Sequence, residues 1–333
     1  MLTVITDHRC VDHDPGSSHP ERPARLSTVQ RALADFEEGL IRLAPTPVDL
    51  ERLGVHTGEM IDRLVTIDGA GGGRIDPDTA MSNDSLLAAR LAAGAGLTAI
   101  DALDRGESEA AFCAVRPPGH HATRATSMGF CLINNVAVTA QSLTERGDRV
   151  AIIDIDAHHG NGTQDIFYDR DDVLFVSTHQ YPWYPGSGAL DERGRGAGLG
   201  ATINIPLPAG AAGDTYRAAV DDVVVPAVER FAPDWLLVSL GFDGHRADPL
   251  SDLGLTAGDF GVLVQRITAL APPGRCIYFL EGGYDLDALF ASTQASLATL
   301  LGLSLKTEAS SSTGPGDDVV QRAARFVSDV PSP

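Results

Sequence analysis

The chain has 333 residues, enough for one large or two ordinary domains with a buried core. With 45 acidic against 25 basic residues its formal charge is −20, so a broad phosphate-binding face would have to be built against the whole field, which disfavours sequence-independent nucleic-acid binding. Hydrophobic residues at 43% and charged residues at 21% make a globular balance rather than a disordered one.

In chain order, Leu2–Thr6, Ala111–Val115, Val150–Asp154, Val173–Ser177, Thr202–Ile205, Trp235–Leu240 and Cys276–Leu280 are short apolar runs that predict strands. Asp84–Leu103, Asn135–Arg146 and Tyr216–Phe231 carry apolar residues at helical spacing. This alternation predicts an α/β fold, a parallel sheet covered by helices on both faces. Gly69–Gly73 reads as a flexible loop, and no phosphate-cradling glycine motif follows a strand. No composition break precedes residue 304, so residues 1–304 are expected to form one domain. Leu305–Asp317 reads as a flexible connection and Val319–Val327 as a short amphipathic helix, together a loosely packed tail spanning 305–333.

No run approaches about 20 consecutive apolar residues, and MLTVITDHRC lacks a basic stretch before a long apolar one, so no membrane partner is expected. Cys10, Cys113, Cys131 and Cys276 lie far apart without a C-x-x-C pair, which points to buried thiols in a reducing cytoplasm.

In open α/β sheets the ligand site lies beyond the carboxyl ends of the strands. Four strand ends carry titratable groups: Arg116–His121, Asp154–Gly160, Gly241–His245 and Glu281–Tyr284. In an extended segment residues two apart share a face, so Asp154, Asp156 and His158 point to one side. Carboxylates so crowded need a cation or a partner histidine. Asp and His ligands without cysteine suit a borderline divalent ion, and Asp156, His158 and Asp243 would leave a position open for water. His120-His121 supplies a base, oriented by a carboxylate such as Asp154, and Tyr284 can donate to the oxygen of a tetrahedral intermediate. The reaction class these groups suit is metal-assisted amide or ester hydrolysis.

Arg116–Ala122 (RPPGHHA), Met128–Asn135 (MGFCLINN), Asp154–Gln164 (DIDAHHGNGTQ), Tyr184–Gly188 (YPGSG), Gly241–Leu250 (GFDGHRADPL) and Glu281–Tyr284 (EGGY), with His19–Leu26 (HPERPARL), resemble the histone deacetylase superfamily. The resemblance is closest to its class II and bacterial acetylpolyamine amidohydrolase branches. It implies the three-layer α/β/α arginase/deacetylase fold around a mainly parallel, about eight-stranded sheet, with one catalytic zinc on Asp156, His158 and Asp243. It further implies His121 as principal base, His120 as its tandem partner on Asp154, and Tyr284 polarising the substrate carbonyl. Asn161 stands where some members orient the second histidine with an aspartate, matching the class II pattern. Gly129 and Phe130 would line the channel opposite a side chain of the Thr178–Tyr184 loop, with Asp78 as rim acid. A family potassium (K+) site would use Asp154, Ser177 and backbone carbonyls of Asp156 and His158. Leu250 stands where polyamine-selective eukaryotic relatives carry a glutamate, which removes one reason to expect polyamines.

The expected activity is zinc-dependent hydrolysis of N-acetyl-lysine or related acyl-lysine amides in peptides or proteins. The alternatives are an acetylpolyamine amidohydrolase, whose cationic substrates an acidic chain attracts, and a catalytically silent acyl-lysine or amine binding protein. Arginase-like enzymes hold a second metal on extra carboxylates, where Gly160 and His245 stand in this chain. An oligomer is compatible with all of these readings.

Overall fold

Strands that are apolar at nearly every position can only be satisfied with both faces covered, and that is how the chain folds. The computed structural model describes residues 1–329. Its first half runs β1 (Leu2–Ile5), α1 (Ala24–Ala34), β2 (Leu40–Leu43), α2 (Gly58–Gly69), β3 (Gly73–Arg74), β4 (Ala80–Met81), α3 (Ser85–Asp104), β5 (Ala111–Cys113), α4 (Asn135–Thr144), β6 (Val150–Asp154) and α5 (Asn161–Phe167). Then come β7 (Val173–Gln180), β8 (Thr202–Leu207), α6 (Gly213–Ala219), α7 (Val225–Phe231), β9 (Trp235–Leu240), α8 (Ala257–Thr268), β10 (Cys276–Leu280), α9 (Leu286–Leu300) and α10 (Asp317–Asp329).

Eight strands form one sheet in the order β2-β1-β5-β10-β9-β6-β7-β8, and every pair is parallel. Side chains alternate between two cores. Val150 and Ile152 of β6 face the core under α2–α5, while Ala151 and Ile153 face the core that α6–α10 close. The helices therefore make the outer layers of an α/β/α sandwich, as the resemblance implies.

Three expectations need correction. Helix α3 is long and apolar enough to cross a membrane by length and composition, contrary to the expected absence of any such segment. Most of it is buried between β1, β5 and α4, so its apolarity serves the core. Tyr216–Phe231 is two α-helices joined by a π-helical turn at Val220–Val224, and residues 69–73 lead into the small β3–β4 hairpin.

The segment after 304 is also not loose. Ser311 donates both its amide and its hydroxyl to Asp259, and the Thr313 and Gly314 amides donate to Asp214. Helix α10 then lays Val319, Val320, Ala323 and Val327 into the core beside β8. Arg193 and Arg230 bond the carbonyls of Phe326 and Val327 at its carboxyl end, where the helix dipole favours cations. A polar composition reads as a linker, but Asp214 on α6 and buried Asp259 on α8 give those hydroxyls and amides fixed partners.

Candidate active site

Strand order brings the titratable ends together. β10, β9, β6 and β7 are neighbours, so Tyr284 and Asp243 follow, Asp154 ends and Ser177 lies within adjacent strands, and β5 on the other side of β10 leads to the two histidines. Asp156, His158 and Asp243 each aim one ligand atom into a common space, all within 4.8 Å of one another and all buried. His158 Nε2–H donates to the Leu250 carbonyl at 3.1 Å, which turns Nδ1 toward Asp243 Oδ2 at 3.0 Å and Asp156 Oδ1 at 3.2 Å. Fixing the far nitrogen in this way is how a metal-ligating imidazole is usually oriented. The remaining carboxylate oxygens accept backbone N–H groups, Ala157 onto Asp243 and Gly282 onto Asp156, both at 2.8 Å. Gly241 and Gly282 leave the room: a Cβ on either would collide with these carboxylates. The donor set therefore fits a divalent cation.

Asp154 stands outside the triad and accepts from His120 Nδ1 at 3.0 Å. The adjoining ring of His121 is 4.0 Å away, and its Nδ1–H donates to Asn161 Oδ1 at 2.7 Å. Only His121 of the pair lines the pocket. Burial disfavours a charge on His120, but Asp156 and Asp154 outweigh it and hold its pKa up at about 10. Burial and the neighbouring charges of His120 and His158 push His121 well below the usual histidine range, so it is the neutral member. A dication on the triad would cancel part of the carboxylate field that raises His120.

The pocket measures about 260 Å³. Gly129 and Phe130 form one wall, both in left-handed backbone conformation at φ 57° and 68°. For a phenylalanine this is strained by about 1–3 kcal/mol, a cost tolerated where geometry matters. Opposite stands Tyr184, edge-on to His121 at 5.2 Å, and this side chain fills the place expected from the Thr178–Tyr184 loop. Leu250 and Tyr284 also line the pocket, and Asp78 contributes a half-buried carboxylate. Burial raises the Tyr284 phenol well above its ordinary value and keeps it protonated. Ser177 is buried and pairs in register with Asp154, its hydroxyl bonded to His179 Nδ1 at 2.9 Å.

Several contributors were not anticipated. Trp183, 41% exposed, donates its indole N–H to the Leu250 carbonyl and widens the apolar wall together with Pro249. Arg25 stacks on the Tyr284 ring at 4.8 Å while pairing with buried Glu21, which also binds Arg116. Glu281 accepts the Gly119 amide at 2.7 Å and so joins the histidine loop to β10. The HPERPARL and EGGY motifs contained Glu21, Arg25 and Glu281, but only the long-range contacts reveal what they hold.

An α/β/α sandwich that gathers a buried Asp/His/Asp triad, a histidine pair and a tyrosine at the carboxyl ends of its strands has the layout of an amide-hydrolysing enzyme. Residues 19–300 match the histone deacetylase domain, and the chain belongs to that family. It is 40% identical over 316 residues to a probable deacetylase of Archaeoglobus fulgidus, covering 92% of this chain and 88% of that protein. It is 37% identical over 272 residues to the histone deacetylase-like amidohydrolase of Pseudomonas aeruginosa, covering 80% and 72%. Among solved structures, the HDA15 HD domain superposes with a TM-score of 0.90 at 34% identity, over 98% of this chain and 94% of that one.

Proposed function

We propose that this chain is a zinc-dependent deacylase of N-acetyl-lysine or related acyl-lysine amides. The observation that carries the reading is the single pocket that exposes His121, His158 and Tyr284 together between the apolar walls of Phe130, Tyr184 and Leu250. Asp156, His158 and Asp243 would hold the zinc, which when bound supplies Lewis-acid charge to polarise a carbonyl and acidify water. Neutral His121, with Nδ1 held on Asn161, takes the proton of the attacking water at Nε2 and returns it to the departing amine. Tyr284 donates its phenolic hydrogen to the carbonyl oxygen as negative charge develops there. His120 on Asp154 fixes the ring beside His121 and adds positive charge close to the reacting atoms. Phe130 and Tyr184 exclude water from the alkyl chain.

A K+ ion on Asp154, Ser177 and the backbone carbonyls of Asp156 and His158 belongs to the same proposal, as does a reducing cytoplasmic setting. The latter is supported by four buried cysteines without disulfides. The second reading, hydrolysis of acetylpolyamines, is favoured by Asp78, whose carboxylate at the pocket suits an ammonium as well as a peptide N–H. The two are separated by kcat/KM for an acetyl-lysine peptide against N-acetylputrescine, measured on zinc-loaded protein. Faster peptide hydrolysis is expected, faster polyamine hydrolysis would favour the second reading, and turnover of neither substrate nor any longer acyl-lysine would overturn both.

A further inference from the structure

Asp248 lies on the turn after β9, buried, and neither joins the triad nor lines the pocket. Its two oxygens serve two different segments. Oδ2 accepts the backbone N–H of Tyr284 at 2.6 Å and of Asp285 at 3.2 Å, while Oδ1 accepts that of Leu250 at 3.0 Å. Its own amide donates to the His245 carbonyl at 2.8 Å, which fixes the carboxylate on its turn. We propose that Asp248 is a positioning residue for Tyr284: its carboxylate ties the turn that carries the tyrosine to the turn that carries the Leu250 wall, and so sets where the phenol stands over the pocket.

The need for such a tie follows from the chain around it. Tyr284 is preceded by two glycines, and Gly283 adopts φ 116°, so the turn has little stiffness of its own. On its other side Arg25 donates Nε–H to the Gly283 carbonyl at 2.6 Å and stacks on the ring. Arg25 thus holds the carbonyl side of the turn and Asp248 the amide side. Two segments that each present N–H groups need a bridge with acceptors at both ends, and a carboxylate is the short side chain whose two oxygens supply them. An asparagine would turn an NH₂ toward one of the two segments and leave that contact repulsive.

The inference rests on the reading of Tyr284 as the group that polarises the carbonyl. Asp248→Asn is isosteric, and its effect should fall on kcat by about 10–100-fold with KM within about twofold, because a donor used in the transition state is misplaced. In a Tyr284→Phe background the same substitution should change kcat less than about twofold, since the group it positions is gone. Independently of turnover, protein made with fluorotyrosine gives a ¹⁹F resonance for Tyr284, assigned by its loss in Tyr284→Phe, that should shift or broaden in Asp248→Asn. An unmoved resonance overturns the proposal, as does an equal loss of kcat in both backgrounds or a loss confined to KM. If the unsubstituted protein turns over no amide, the functional reading fails and the resonance alone decides the positioning claim. Should Asp248→Asn not fold, Asp248→Glu, which keeps both acceptors but displaces them by one methylene, must show the same shifted resonance.

Discussion

Gly282→Ala is a one-carbon probe of the metal triad. Its Cβ would sit 2.7 Å from Asp156 Oδ2 and would overlap Asp243 Oδ2, so the methyl enters the space between two proposed ligands. Ordinary contact begins at 3.4 Å, so Asp156 Oδ2, which accepts the Gly282 amide, must retreat by about 0.7 Å and the metal-facing Asp243 Oδ2 by more. Zinc–oxygen bonds tolerate displacements of about 0.2 Å. Disturbing a single supporting contact already costs about 10–100-fold in metal affinity, so displacing two carboxylates should weaken zinc binding by at least about 100-fold, or ~2.7 kcal/mol. Overpacking should also lower folding stability by about 1–3 kcal/mol. Competition for zinc against a chromophoric chelator measures the first effect and thermal melting the second. Gly69→Ala, with nothing within 4 Å of its Cβ, is the control. Wild-type zinc affinity in Gly282→Ala would refute the placement of the cation between these carboxylates.

Other outcomes follow from the same geometry. His121→Ala should lower kcat by about 10²–10⁴-fold and His120→Ala by less, because only His121 faces the pocket in neutral form; the reverse order in steady-state assays would reassign the base. Glu308 accepts from His245 at 2.9 Å, from Arg246 at 2.6 Å and from the Ala257 amide at 3.1 Å. Burial raises its pKa, but these three donors overcome it and bring the value down to about 2 from near 4.5. A carboxylate lowered on folding stabilises above its unfolded pKa, and that contribution is lost as pH falls through the folded one. Glu308→Gln should therefore flatten the dependence of stability on pH between about 4.5 and 2, measured by denaturant unfolding. An unchanged slope would mean that Glu308 is solvated rather than docked.

The central strands were legible because burial on both faces leaves an uninterrupted apolar run: β6, β9 and β10 have the expected bounds. β2 was not, since LIRL at an edge is half exposed and carries Arg42, so no such run marks it. The triad was visible for a related reason. Asp156 and His158 stand two apart just beyond β6, though on bends rather than in an extended chain, and Asp243 lies just beyond β9, the strand that pairs with β6. The order of strands is a long-range property that no local pattern encodes, and it decides which ends meet. For the same reason Asp248, which acts through backbone amides 36 and 37 residues away, and Glu308, 63 residues from His245, had no local signature.

The proposed hydrolysis requires a catalytic metal at Asp156, His158 and Asp243. Protein stripped with a chelator and titrated with zinc, while acetate release from an acetyl-lysine peptide is followed, tests it most directly. A metal at this triad should give no turnover in the stripped protein, a linear rise to one zinc per chain and a plateau beyond it. Turnover that survives stripping, or that ignores the added zinc, would contradict it.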